Sequence, residues 1–168
     1  MVYQSQPYVP GRHDLEQFSC GESSLDTWLR EQAAQAAIRG TARTWVWVNE
    51  DGYRVVAYYA LSAHKVAPAL VPSRLRGGTA EIPAVLIGRL ALDRSLRGEG
   101  LGEVLLADAL WRIVQASRTV GARLVVVDAL AEQVACFYER LGFRRVPGSL
   151  LLVQRVSDVA AAVLGDGP

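Results

Sequence analysis

Arg97-Gly98-Glu99-Gly100-Leu101-Gly102 places three glycines at alternate positions where the chain enters a helix. Glycine lets backbone N–H groups approach a ligand closely, and a helix N-terminus adds unpaired N–H groups and the positive end of its dipole. The segment suits phosphate, although a glycine-rich turn without a ligand is about as common. Two phosphate motifs are excluded, because no Gly-Lys-Ser/Thr ending follows and a dinucleotide fingerprint needs glycine where Glu103 stands. What remains is Arg-x-x-Gly-x-Gly. A second segment, Val134-Ala135-Cys136-Phe137-Tyr138-Glu139-Arg140-Leu141-Gly142-Phe143, reads as a helix. Val134, Phe137 and Leu141 form its inner stripe and Tyr138 lies at the edge, where a hydroxyl reaches a cleft. The alternative for Tyr138 is a core tyrosine with a satisfied hydroxyl.

The remaining reactive side chains offer less. Cys20 and Cys136 have no adjacent histidine to activate them and are expected to be buried packing thiols. His13 and His64 stand alone, without the spacing of metal ligands. Trp28, Trp45, Trp47 and Trp111 are expected as core or interface aromatics. No strong general base stands out.

The elements that position these residues follow from patterning. Gly21 to Ile38 predicts a helix opened by a Ser23/Asp26 capping box and stopped at Gly40. Thr44 to Val48 and Tyr53 to Ser62 predict two antiparallel strands joined by the turn Asn49-Glu50-Asp51-Gly52. Pro68 to Pro83, with three prolines, two adjacent glycines, Arg74 and Arg76, predicts a long exposed loop. Ala84 to Leu92 predicts a strand, and Gly100 to Thr119 a helix with an apolar stripe of Val104, Leu105, Ala109, Ile113 and Ala116. A strand at Arg123 to Ala129, a helix at Glu132 to Leu141 and a strand at Leu150 to Val156 complete the series. That order argues for an α/β (α+β) fold, a mixed sheet whose parallel part is buried under helices. Ala160 to Pro168, small and ending near glycine, is expected to fray.

The 168 residues, 51% hydrophobic and 21% charged, fit a single globular domain spanning 1–168. Met1 to Arg12 lacks an apolar export region and no stretch approaches a membrane span of about 20 residues, so a cytoplasmic protein without a membrane partner is expected. Two cysteines suggest neither a disulfide framework nor a metal site. Net charge is +1, but Arg accounts for every basic residue except Lys65. A genome bias and a need for guanidinium forks on phosphate both explain that usage. Arg54 to Arg94 carries six basic residues against Glu81 and Asp93, and Arg140 to Arg155 carries four against none, so the positive charge is clustered.

With this context, Arg97, Gly100 and Gly102 resemble the pyrophosphate loop, Gln/Arg-x-x-Gly-x-Gly/Ala, of the GNAT acetyltransferase superfamily. The segment around Tyr138 is similar to that superfamily's Ala-x-x-Phe-Tyr-x-x-x-Gly-Phe signature, with Val134 in place of the first Ala. The resemblance implies a twisted mixed sheet with helices on both faces, splayed between strands 84–92 and 123–129 to admit acetyl-CoA. It implies that Gly98, Glu99, Gly100, Leu101 and Gly102, following Arg97, hold the pyrophosphate, that Leu90, Ala91 and Leu92 pair with the pantetheine arm, and that Tyr138 protonates the departing thiolate.

An acceptor amine must be neutral to attack. A lysine side chain near pKa 10.4 is neutral in only about one molecule per thousand at pH 7.5, an α-amine in roughly one of three. Without a strong base, α-amines are favoured. Phe18-Ser19-Cys20-Gly21, Leu25-Asp26-Thr27-Trp28-Leu29, Gly40-Thr41-Ala42-Arg43-Thr44, Tyr58-Tyr59-Ala60-Leu61 and Gly88-Arg89-Leu90-Ala91-Leu92-Asp93 closely resemble the GNAT toxins of bacterial type II toxin–antitoxin modules. That resemblance implies acetylation of the α-amine of aminoacyl-tRNA, a block of translation, a homodimer, and neutralisation by a ribbon-helix-helix antitoxin that also binds operator DNA. It makes Arg30, Arg39, Arg43, Arg74, Arg76, Arg89, Arg144 and Arg145 candidate tRNA phosphate contacts. A GNAT enzyme acting on a small-molecule amine, an antibiotic or a protein N-terminus is the alternative, and a non-catalytic acyl-CoA-binding module is a third reading.

Overall fold

The computed structural model describes residues 2–165. Strands β1 (Gln6–Pro7), β2 (Arg43–Val48), β3 (Val55–Val66), β4 (Ile82–Leu92), β5 (Leu124–Asp128), β6 (Arg144–Arg145) and β7 (Leu151–Arg155) form a sheet in the order β1-β2-β3-β4-β5-β7-β6. Helices α1 (Ser23–Glu31), α2 (Ala33–Arg39), α3 (Ser73–Arg76), α4 (Leu101–Ser117), α5 (Glu132–Arg140) and α6 (Val156–Gly165) complete it. Among the described residues no helix is long and apolar enough to cross a membrane. The chain divides into two compact units, one built from the chain up to Ser62 with Gly88–Ala109, the other from Ala63–Ile87 with the chain from Leu110 onward.

In the first unit the aromatic, β-branched hairpin forms as its residues dictate. β2 and β3 pair antiparallel from Arg43↔Leu61 to Trp47↔Ala57, with a bulge before Val48↔Val55. The Asp51 carboxylate accepts from the N–H groups of Tyr53 (2.7 Å) and Arg54 (3.0 Å), which fixes the connection. Pro7, which lacks an N–H, sits on the edge strand β1. The core gathers Phe18, Leu29, Ala33, Val46, Val55, Tyr58 and Ala91.

The expected first helix differs in two ways. It breaks at Gln32 into α1 and α2, and the capping box does not form: Asp26 turns back to accept from the Cys20 N–H at 3.0 Å. A tertiary tie has displaced the local cap. Gly40 ends α2 in the left-handed conformation, φ 71.

In the second unit β5 pairs in parallel with β4 from Ala84↔Leu124 to Ile87↔Val127, and antiparallel with β7. β5 is buried over Leu124–Val127, as its unbroken apolar run requires. The β4–β5 register ends at Ile87, and β4 continues through Gly88–Leu92. The segment Pro68–Pro83 is more ordered than its prolines suggest. Pro68–Leu70 forms a 3₁₀ turn and Ser73–Arg76 a short helix, because Val71 and Leu75 are drawn into a core with Val66, Ile82, Leu124 and Val153. Arg123 anchors this segment by donating to the carbonyls of Leu75 (2.9 Å) and Arg74 (3.1 Å).

Two further expectations are corrected. Ala160 to Gly165 belongs to α6, whose alanines favour helix and whose start carries an Arg155–Asp158 pair at 3.0 Å; Asp166 to Pro168 lie outside the described residues. On α4, Val104 and Ala116 are exposed, and the buried stripe is Leu105, Leu106, Ala109, Ile113 and Val114.

Candidate active site

The glycine segment is held from behind by β4. Asp93, at the strand's end, accepts from the Ser19 N–H (2.9 Å), the Ser95 N–H (3.0 Å) and the Ser95 hydroxyl (2.6 Å), with Arg54 at 3.8 Å. Burial would raise this carboxyl's pKa, but those hydrogen bonds and the Arg54 charge outweigh it and hold the group below the usual carboxylate range. The Arg94 N–H donates to the Ser19 carbonyl at 2.9 Å. The Arg97 guanidinium is turned back toward the chain ahead of α1. It donates to the Cys20 carbonyl.

Past this clamp the chain opens. Gly98 and Gly100 have φ of +82 and +73, and a β-carbon at either would meet nothing within 4 Å. The two glycines and Glu99 are exposed, while Leu101 and Gly102 begin α4 half-buried. The left-handed backbone supplies a physical reason for glycine, and the empty space around it leaves room for a pyrophosphate against backbone N–H groups. Leu90 and Leu92 are half-buried and Ala91 is buried.

Tyr138 is more central than its place in the helical pattern suggests. It and Ala135 are the buried residues of α5, whereas Val134, Phe137 and Leu141 are half-buried. Its ring meets Phe137 and Phe143 edge-on, with centroids 5.2 and 5.4 Å away. Burial raises the phenol pKa, so the proton stays on the hydroxyl across the physiological range. A proton donor in an apolar setting has the character required to protonate a thiolate.

The arginines separate by what they already hold. Arg30 donates to the Phe18 carbonyl (2.9 Å) and Arg43 to the Ala37 carbonyl (3.0 Å), each partly committed to the fold. Arg39, Arg74 and Arg144 are exposed. Arg76 is exposed but its Nε donates to the Val71 carbonyl at 3.1 Å. Arg145 is taken up by Glu132 (2.5 Å) and Glu139 (2.7 Å), which argues against its pairing with phosphate. Arg89 lies over the ring of Trp28, 4.3 Å from its centroid.

Several features are not legible in the sequence. Cys136 is exposed, not buried, because it points away from the α5 face that Ala135 and Tyr138 occupy; Cys20 is buried. His13 is a structural residue. Its Nδ1 accepts from the Val9 N–H (2.9 Å) and its Nε2 lies 3.1 Å from the Gln6 side-chain oxygen. His64 is exposed on β3. Sequence reasoning misses Asp93, although its position just before the glycine segment is a usable signal. Among the described residues no group of three His, Cys, Asp or Glu side chains is placed to hold a metal ion.

Residues 42–145 match the family model described as acetyltransferase (GNAT) domain. A tRNA-acetylating toxin of Mycobacterium tuberculosis (strain ATCC 25618 / H37Rv) is 38% identical over 165 residues, covering 98% of each chain. Among solved structures, AtaT complexed with acetyl-methionyl-tRNAfMet superposes with TM-score 0.87 at 27% identity, covering 96% of this chain and 99% of that one. A mutant AtaT toxin bound to the C-terminus of the antitoxin AtaR and acetyl-CoA gives TM-score 0.81 at 27% identity, covering 98% and 99%.

Proposed function

The chain belongs to the GNAT acetyltransferase family, and on that premise we propose that it is a toxin that acetylates the α-amine of aminoacyl-tRNA and so blocks translation. Its activity is acetyl transfer with acetyl-CoA as donor. The observation that carries the choice of acceptor is the 38% identity to a tRNA-acetylating toxin across nearly all of both chains. A ribbon-helix-helix antitoxin, which reaches operator DNA, neutralises it, and its place of action is the cytoplasm, where charged tRNA is found.

In this reading the backbone N–H groups of Gly98 to Gly102 receive the pyrophosphate, and the backbone of Leu90 to Leu92 pairs with the pantetheine arm. Open space beside the two left-handed glycines is the structural support for the first assignment. The bound thioester supplies an activated acetyl group. Tyr138 keeps a proton on its hydroxyl and delivers it to the departing sulfur. The α-amine, neutral in a sizeable fraction near pH 7.5, attacks without needing a strong base.

A cell-free translation reaction tests the assignment. Protein plus acetyl-CoA is expected to arrest synthesis, and fresh charged tRNA added after removal of the protein is expected to restore it. Arrest without acetyl-CoA, or recovery without new charged tRNA, contradicts the proposal.

A further inference from the structure

Arg89, half-buried on β4, packs against Trp28, which also packs against Tyr58. Its guanidinium lies 4.3 Å from the centroid of Trp28, and Trp28 lies parallel to Tyr58, with centroids 6.1 Å apart and planes 7° apart. Tyr58 is fixed by donating its hydroxyl to the Leu25 carbonyl at 2.7 Å. The aromatic faces stabilise the cation without neutralising it. Among the described residues no carboxylate and no carbonyl accepts from this guanidinium. Charges withdrawn from water are ordinarily paired, and desolvation here already depresses the Arg89 pKa. The fork of N–H donors, half open to solvent, is therefore available to an anion.

The surroundings fit such a ligand. Arg89 lines an open surface depression of about 370 Å³ with Ser23, Ser24, Thr27, Trp28 and Gln32. Ser24 is turned to the exposed Glu22 carboxylate at 3.2 Å, which leaves Ser23, Thr27 and Gln32 to offer donors beside the guanidinium. Arg89 immediately precedes Leu90–Leu92, and a strand rise of about 3.3 Å per residue keeps its Cα within about 10 Å of Leu92. On the reading that the acceptor is aminoacyl-tRNA, only an ester and a ribose separate the reacting α-amine from the last phosphodiester of the RNA.

We infer that the open depression beside Arg89 receives the phosphodiester joining the last two nucleotides of the aminoacyl-tRNA acceptor. The site requires an anion with at least two oxygens in one plane, which the guanidinium meets edge-on. It selects against acceptors that carry an α-amine but no phosphate, and so accounts for how a transferase without a strong base distinguishes charged tRNA from free amino acids.

The test uses the purified full-length protein, the amino acid it acetylates on intact tRNA, and that amino acid esterified to CpA or to adenosine alone. The wild type is expected to acetylate the CpA ester with kcat/KM about tenfold or more above the adenosine ester, as for hydrogen bonds to a charged group. Arg89→Gln should erase that preference with acetyl-CoA affinity unchanged by calorimetry. Thr27→Glu, at an exposed position on α1, should do the same by placing a carboxylate beside Arg89. Equal use of the two esters by the wild type, or a preference that survives both substitutions, overturns the site. Failure of the wild type to acetylate intact charged tRNA instead overturns the acceptor reading on which it rests.

Discussion

Gly21 and Arg97 compete for one space: Gly21 has φ +93, and a β-carbon there would collide with the Arg97 guanidinium that donates to the adjacent Cys20 carbonyl. This fastens the glycine segment to the chain just ahead of α1, alongside the ties from Asp93 and Arg94 to Ser19. Gly21→Ala is therefore expected to do two things. Left-handed backbone costs an L-residue about 1–2 kcal/mol of stability, and displacement of Arg97 should weaken acetyl-CoA binding by about tenfold, or about 1.4 kcal/mol. Thermal unfolding and calorimetric titration read the two effects, and unchanged affinity would separate the clamp from the cofactor site.

Gly100→Glu is expected to abolish acetyl-CoA binding. The position is open, so the side chain meets no clash; the left-handed backbone (φ +73) costs about 1–2 kcal/mol of stability, and the carboxylate enters the space assigned to pyrophosphate, where like charges about 4 Å apart near a protein surface repel by about 4 kcal/mol. A folded variant, judged by circular dichroism, that still binds acetyl-CoA normally would remove this segment from the cofactor site.

Tyr138→Phe should retain fold and coenzyme affinity but lose transfer rate by about 10²-fold or more. Burial raises the pKa of this hydroxyl, so its acid form persists as pH rises. The wild-type rate should climb as the α-amine deprotonates near pKa 7.7–8.0 and then level off. A rate that falls again between pH 8 and pH 9 would contradict Tyr138 as the acid.

His13 gives a pH dependence of a different kind. Burial, with Arg12 nearby, lowers its pKa, and its Nδ1 must be unprotonated to accept from Val9. The unfolded chain binds a proton near pH 6.5 more readily than the folded one, so stability present above that pH is lost as pH falls through the folded value. The midpoint of thermal unfolding should drop between pH 7.5 and pH 5. His13→Asn should shrink that drop, and an equal drop in the variant would assign it to other groups.

How legible this molecule is depends on whether a feature is set locally. The β2–β3 hairpin, β4, the glycine segment, β5 and α5 all follow from short-range patterning that tertiary structure reinforces. The break at Gln32 and the loss of the capping box do not: Asp26 is diverted from capping to the Cys20 N–H, a bond that spacing along one helix cannot reveal. Arg145 beside Arg144 reads as a basic pair, yet Glu132 and Glu139 on α5 claim Arg145 and leave Arg144 exposed. Partners folded in from elsewhere decide which charges remain available. The Arg89–Trp28–Tyr58 cluster joins β4, α1 and β3, so the separate toxin-like blocks contain its members without their arrangement.

That distinction among arginines is itself testable. Arg74→Ala and Arg144→Ala should reduce acetylation of charged tRNA and flatten its salt dependence by about one unit of log–log slope for each phosphate contact removed. Arg145→Ala should mainly lower the unfolding temperature, since it disconnects β6 from α5. A salt slope changed by Arg145 as much as by Arg144 would reverse the assignment.

The acceptor is decided by transfer of label from radiolabelled acetyl-CoA to charged tRNA, the same tRNA deacylated, and free amino acids. Label should enter charged tRNA alone, be released with the amino acid when the ester is hydrolysed, and decline as salt rises. Equal labelling of free amino acids and charged tRNA at every salt concentration would instead identify the protein as a small-amine acetyltransferase.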